Sequence, residues 1–319
     1  MSNDLDANQL FRNNGDQTFT DVSAELNVQG PRPSFAPWFW DFNNDGALDL
    51  FVPSYPQSVD YVAADFIGIK VPMPGDALYQ GNANGTFEDV GSKMNLDQVT
   101  IPMGSNFGDL DNDGYLDYYL GTGYPEYDAL MPNVMVRNKK GTGFANVTMA
   151  GGFGHLQKGH GIAFADLDND GDQDVFMEVG GWFVDDAFSN ALYENPGFGN
   201  NWITIKLIGK RSNRSSIGAK LRLLIEENGK ERMIYRWVNS GSSFGGNPFR
   251  QEIGVGQADI VKELEITWPF KGSVQTFRSI PVNQFIVINE GADGYESLSL
   301  KKLEFGRTEA EAHEHTRHH

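Results

Sequence analysis

One nine-residue pattern occurs three times along the first part of the chain and constrains the fold more than anything else in it. It sets Asp41, Asn43, Asp45 and Asp49 around Gly46. It then sets Asp109, Asp111, Asp113 and Asp117 around Gly114, and finally Asp166, Asp168, Asp170 and Asp174 around Gly171. The three starts lie 68 and 57 residues apart. A second signature keeps step with the first. An aromatic or aliphatic residue at Phe11, Tyr79, Val136 and Tyr193 is followed by a polar pair and then by Gly and Phe, at spacings of 68, 57 and 57. Two signatures in register define an internal repeat, and repeats of this length belong to arrays of supersecondary units.

The flanks of each loop read as strand. Residues 48–52, 116–120 and 174–177 follow the loops as short apolar or aromatic runs, and residues 37–40, 105–107 and 162–164 precede them. Glycine punctuates the runs: 37 of 319 residues are Gly, well above the usual ~7%. Short, evenly spaced strands with turn glycines predict an all-β chain. About 60 residues suffice for a four-stranded antiparallel sheet with its loops, which is one blade of a β-propeller. Residues 1–22 match only the back half of the unit, so about three and a half repeats are expected in residues 1–199. Propellers close with four to eight blades. The expectation is therefore a partial propeller, the C-terminal part of a longer parent, with open edges through which it could self-associate.

The loops are a calcium signal with a mechanism. Hard cations want six to eight oxygens. Side chains at positions 1, 3 and 5 fall on one side of a tight turn, and the glycine at position 6 permits the bend. The carbonyl at position 7 (Ala47, Tyr115, Asp172) adds an oxygen, and the aspartate at position 9 can close the shell. An EF-hand begins in the same way but needs a Glu at position 12 and flanking helices. Here position 12 is Val52, Leu120 or Met177, inside apparent strands, and the EF-hand reading fails. The plain alternative is an acidic turn, since Asp, Asn and Gly form turns unaided. Against it, so many carboxylates within nine residues repel one another without a cation. The expected ligands are thus Asp41, Asn43, Asp45, Ala47 and Asp49, then Asp109, Asp111, Asp113, Tyr115 and Asp117, then Asp166, Asp168, Asp170, Asp172 and Asp174. Asn43 makes the first loop the weakest. Up to three calcium ions follow, structural rather than catalytic, since the protein fills the shell.

Charge divides the chain. Residues 1–199 carry 8 basic and 29 acidic groups, whereas residues 200–290 carry 13 basic and 8 acidic. This change of sign predicts a repeat domain over 1–199, a second domain over 200–291 and a polar tail over 292–319. A net charge of −18 repels phosphate backbones, so no nucleic-acid partner is expected. No apolar run approaches the ~20 residues of a membrane span. The absence of cysteine removes disulfides, thiolate nucleophiles and Cys-bound metals.

In their sequence context the aspartate loops, with Phe107 and Gly108 before the second and Phe164 before the third, resemble FG-GAP/VCBS repeats of the kind that build the propeller heads of integrin α subunits. The second half resembles the ASPIC/UnbV domain, on Trp202, Arg211, Asn213, Arg214, Gly218, Gly241, Gly245, Gln251, Gly254, Trp268, Pro269, Asn283 and Gln284 in order. Together they resemble the acidic secreted cartilage protein family and its bacterial relatives. The resemblance implies an extracellular, cell-surface or periplasmic protein in adhesion or matrix contact, with a carbohydrate or protein ligand. From its residues alone the second half is also β. Residues 202–207, 220–225, 233–238, 264–268 and 284–288 read as strands, with a hairpin turn at Asn228 and Gly229, and suggest a small sandwich.

No catalytic constellation stands out. His155 and His160 flank Lys158, Asp185 adjoins Asp186, and several serines crowd residues 212–243, but no G-x-S-x-G motif is present. Arg211, Arg214, Arg236 and Arg250 could form an anion site or pair with the acidic repeats. The tail histidines could bind nickel or zinc weakly. The leading expectation is a non-enzymatic, calcium-stabilised binding module, with residues 55–73 as candidate contacts. The rivals are a polysaccharide lyase or hydrolase on a propeller scaffold, and a purely architectural segment.

Overall fold

The computed structural model describes residues 1–3, 6–181, 183–185 and 188–306. Asp186 and the tail histidines lie outside the described residues. Four blade sheets come first. β1 (Phe11–Asn13) and β2 (Phe19–Asp21) form a two-stranded sheet. β3 (Trp38–Trp40), β4 (Asp49–Val52), β5 (Ala77–Gly81) and β6 (Phe87–Asp89) form a four-stranded antiparallel meander. β7 (Pro102–Gly108), β8 (Asp117–Thr122), β9 (Val134–Asn138) and β10 (Phe144–Asn146) repeat it. β11 (Gly159–Ala165), β12 (Asp174–Val179) and β13 (Ala191–Tyr193) give a three-stranded version. Each aspartate loop joins the first two strands of its blade. The fold is thus all-β and begins as a partial propeller.

The blades are glued by aromatic residues from the short runs beside the loops. Trp38, Trp40, Phe51, Phe107, Tyr118 and Phe144 are all buried and touch one another across the second and third sheets. Such ring pairs contribute ~0.5–1.5 kcal/mol each beyond burial of area. One insertion departs from expectation. Within residues 55–73, Val59–Phe66 form an α-helix, α1, with no buried residue. Phe66 at its end, and Ile67 and Ile69 beyond it, are exposed.

Eight further strands make two sheets. β14 (Asn201–Ile208) lies between β17 (Gln251–Gly256) and β20 (Gln284–Asn289), with β21 (Glu296–Leu298) at the edge. β15 (Lys220–Glu227) lies between β16 (Lys230–Trp237) and β18 (Ile260–Thr267), with β19 (Val274–Pro281) outermost. Alternate residues of both sheets fill one apolar core: Ile203, Ile205, Leu221, Leu223, Leu264, Ile266, Ile286 and Ile288 are all buried. The β15–β16 turn places Asn228 and Gly229 at φ 53° and 73°, the conformation a two-residue hairpin requires. This is a small sandwich, richer in strands than the sequence suggests.

The sandwich does not stand apart from the blades. Its loop 239–250 enters between β7 and β11. Ser243 forms a β-bridge with Ser105, and Ile162 N donates to Phe244 O at 2.9 Å. Asn247 accepts from Asn106 Nδ2 and from Phe164 N, and donates to Phe107 O. The serines that invite a nucleophile search, Ser242 and Ser243, are therefore docking residues.

Candidate metal centre

Each aspartate loop builds the same cage from its own backbone. The residue at position 4 (Asn44, Asn112, Asn169) is left-handed, at φ 56°, 54° and 63°, and Gly46, Gly114 and Gly171 follow at φ 86°, 90° and 96°. Asn tolerates that region and Gly occupies it without cost. The resulting turn aims backbone amides at carboxylates. Gly46 N, Gly114 N and Gly171 N donate to Oδ2 of Asp41, Asp109 and Asp166. Ala47 N, Tyr115 N and Asp172 N donate to Oδ1 of Asp45, Asp113 and Asp170.

The position-9 aspartates also hold the blade together. Asp49 accepts from Phe42 N and Gly81 N, Asp117 from Leu110 N and Asn138 N, and Asp174 from Leu167 N and Asn195 N. Each therefore ties its loop to the third strand of the same blade. This explains the second sequence signature: its Asn138 and Asn195 also donate to Phe42 O and Leu110 O in the preceding blade's loop.

In the second and third loops, carboxylate oxygens of positions 1, 3 and 5 converge. Asp109, Asp111 and Asp113 offer oxygens within 4.8 Å of one another, and so do Asp166, Asp168 and Asp170. Either cluster could hold a metal ion. In the second loop the three aspartates are at most 4% exposed. Asp109 Oδ1 and Asp113 Oδ2 are buried with no hydrogen-bond partner among the described residues, whereas Asp111 Oδ2 is ion-paired with the Arg137 guanidinium. Buried acceptors without partners are rare and call for an explanation. An all-carboxylate donor set suits a hard cation. The first loop differs. Asn43 Nδ2 donates to Asp45 Oδ2 at 2.9 Å, so the amide at position 3 itself occupies an oxygen that a metal would use.

Crowding shows in the acidities. Burial, opposed by Arg236 and reinforced by Asp113 and Asp111, pushes Asp109 up to about 7. Burial likewise raises Asp113 to about 6, Asp166 to about 7 and Asp41 to about 6. Desolvation lifts Asp49 to about 8 and Asp174 to about 6, and carries Asp117 well above the usual carboxylate range.

The sandwich grips all three loops. Tyr235 N donates to Asn44 Oδ1, and Lys220 Nζ to Gly46 O. Arg236 reaches Asp109 Oδ2 and Gly114 O at 3.2 Å each, Gly254 N reaches Asp109 Oδ2, and Arg232 reaches Asp113 O. Asp166 N donates to Glu252 Oε2, and Gly171 faces the Trp202 ring so closely that a Cβ there would lie 1.8 Å from it. Of the arginines singled out in the sequence, Arg236 pairs with the acidic blades, while Arg250 binds Glu252 and Asp166 O. Arg211 stacks on Phe270, and Arg214 lines a surface groove. His155 Nδ1 accepts from Gln157 N.

The position-4 asparagines are functional residues that the ligand-by-ligand reading of the sequence passes over. Asn44 Nδ2 donates to Gly114 O in the next loop, and Asn112 Nδ2 to Gly171 O in the one after. The available signal was plain: Asn stands fourth in every loop.

This architecture defines a class: propeller blades whose acidic hairpin loops form the seat of a second β-domain. Family models agree. The FG-GAP-like repeat model matches residues 1–52 and 59–120, and the ASPIC and UnbV model matches residues 209–295. The chain carries FG-GAP-like repeats and, in its C-terminal region, an ASPIC/UnbV domain. The repeat match ends before the third loop, which the structure shows to be built like the other two. A search of curated proteins gave no significant match. Among the described residues, no helix is long and apolar enough to cross a membrane.

Proposed function

We propose that this chain is a non-catalytic, calcium-stabilised binding module of the extracellular or periplasmic space, in which calcium fastens both the blade hairpins and the seat of the ASPIC/UnbV domain. The observation that carries this reading is the second loop, where three buried carboxylates bring oxygens within 4.8 Å of one another and Asp109 Oδ1 and Asp113 Oδ2 have no hydrogen-bond partner among the described residues. Calcium is the cation that fits best. It takes six to eight oxygens in flexible geometry, whereas magnesium holds to a strict octahedron. Bound there, the ion supplies positive charge that lets Asp109, Asp111 and Asp113 ionise together in a dry site. The residues that would hold it are those at positions 1, 3 and 5, with the carbonyls of Ala47, Tyr115 and Asp172 as further donors. A fastening role is supported by where the loops lie, between blades and sandwich. For the ligand, a carbohydrate or a protein, we assign the insertion of residues 55–73, whose Phe66, Ile67 and Ile69 are exposed.

Thermal melting in excess calcium and in chelator tests the metal reading. A ligand at a hundred times its Kd stabilises by ~2.7 kcal/mol per site, so Tm should rise by several degrees with calcium. Asp111→Asn with Asp113→Asn should remove much of that rise. Equal Tm values with and without calcium would overturn the reading.

A further inference from the structure

Among the described residues, the third loop has a neighbour that the other two lack. The chain leaves β21 and returns as a strap across this loop. Lys302 Nζ lies 2.9 Å from Asp170 Oδ2 and 3.8 Å from Asp168 Oδ2. Leu303 N donates to Asp168 O at 2.7 Å, and Asn169 Nδ2 donates to Lys301 O at 3.1 Å.

Two comparisons inside the molecule give these contacts meaning. The first concerns the oxygens. In the second loop Asp113 Oδ1 is taken by a backbone amide, and Asp113 Oδ2 is one of the atoms without a hydrogen bond. In the third loop Asp170 Oδ1 is likewise taken by Asp172 N. Its remaining oxygen, Asp170 Oδ2, is the one that Lys302 holds. The same holds at position 3. Asp111 Oδ1 and Asp168 Oδ1 each accept the amide two residues on, and Lys302 approaches Asp168 Oδ2. The ammonium thus holds Asp170 Oδ2, whose counterpart Asp113 Oδ2 in the second loop has no hydrogen bond among the described residues, and approaches Asp168 Oδ2, whose counterpart Asp111 Oδ2 is paired with Arg137. The second comparison concerns position 4. Asn44 and Asn112 each donate to the glycine carbonyl of the following loop. Asn169 is the last of the series, and the carbonyl it finds is that of Lys301 on the strap. The strap therefore stands where a following loop would stand, and brings a cation with it.

We propose that Lys302 is a built-in competitor for the cation of the third loop, and that calcium entering this loop loosens the strap of residues 299–306. The proposal rests on the metal reading above and adds to it a difference between sites: the second loop is a fastening, the third a switch. An ammonium and a divalent ion cannot both sit close to the same pair of carboxylate oxygens without strong repulsion. Lys302 has a mostly exposed side chain, so its hold is modest, as exposed ion pairs are.

Hydrogen exchange of the full chain, with calcium and with chelator, reads the strap directly. The Leu303 amide and its neighbours should exchange at least several-fold faster with calcium, while β14 and β15 exchange no faster. Calcium titration of Lys302→Gln should show one site tightened by about two- to fivefold, the size of an exposed ion pair's contribution, and the other sites unchanged. Adding Asp168→Asn should abolish that gain, which assigns it to the third loop. Unchanged or increased strap protection in a protein that takes up calcium elsewhere would overturn the proposal, as would unaltered affinities in Lys302→Gln. Failure of every loop to take up calcium would be a different result and would remove the metal reading itself.

Discussion

The first and second aspartate loops share a backbone conformation, glycine position and carboxylate frame, yet they are not equivalent. The second is buried between neighbouring blades and the sandwich, with Asp111 at 3% and Asp113 at 4% exposure. The first leaves Asp45 exposed and lets Asn43 bond it. In water, an acidic turn of this kind satisfies itself with amides and solvent. In the dry interior, Asp109 Oδ1 and Asp113 Oδ2 are left without a hydrogen-bond partner among the described residues. The motif therefore sets the potential for a cation, and burial sets how far its carboxylates are left without other partners.

The largest expected effect that sharpens this contrast is at Arg236. It is 5% exposed and holds Asp109 across the junction. Truncating one member of a buried ion pair leaves an uncompensated charge, at a cost of about 3–5 kcal/mol. Arg236→Met should cost that much in chelator and far less in saturating calcium, where the ion supports Asp109 instead. Denaturant melts under both conditions check this; an equal loss in both would mean that arginine and metal act independently.

The effect of pH comes next. A carboxylate whose pKa is raised by folding binds a proton in the folded chain that the unfolded chain has already lost. Its contribution is fully present below about pH 4 and is lost as the pH rises through the folded value. With Asp41, Asp113 and Asp174 at about 6, Asp109 and Asp166 at about 7, and Asp49 at about 8, chelated protein should lose about 2 kcal/mol or more between pH 5 and 8. Calcium needs ionised ligands, so the stabilisation it gives should grow over the same window. Melts at pH 5 and pH 8 with and without calcium measure both slopes. A calcium effect that shrinks toward pH 8 would break the assignment of these carboxylates.

The smallest effect is at the first loop. Asn43→Asp replaces the amide that occupies Asp45 Oδ2 with a third carboxylate. Calorimetry should then find the weakest calcium site tightened by about three- to tenfold, in line with the way ligand charge tunes such loops. No change would mean that exposure, rather than ligand chemistry, separates the two loops.

Much of this was legible in the residues. The spacing of aspartates and glycines fixed the turn, because left-handed backbone at positions 4 and 6 admits few side chains other than Asn and Gly. Alternating apolar residues such as Ile203, Ile205, Leu221 and Leu223 fixed strands and their inner face. The helix Val59–Phe66 was not legible. It is only eight residues long and packs just Val59, Tyr61 and Val62, half-buried, against the cluster around Tyr55, Val99 and Ile101, too short a stretch for an apolar period to stand out. Nor was the tie that position 9 makes to the third strand, since Asp117 takes one amide from Leu110 in its own loop and gains that of Asn138 only when β9 comes alongside.

What the sequence by itself determined, then, is local: where the chain turns, which runs extend, and which oxygens can gather in one loop. Those follow from backbone sterics and the reach of short side chains, which act over a few residues. What only the tertiary structure decided is the fate of each loop. Arg236 meets Asp109 across 127 residues, and Lys302 meets Asp170 across 132. Which cation neutralises which carboxylate depends on burial and on partners brought from far along the chain, and desolvation, the term that governs both, exists only once the blades and the sandwich have closed on one another.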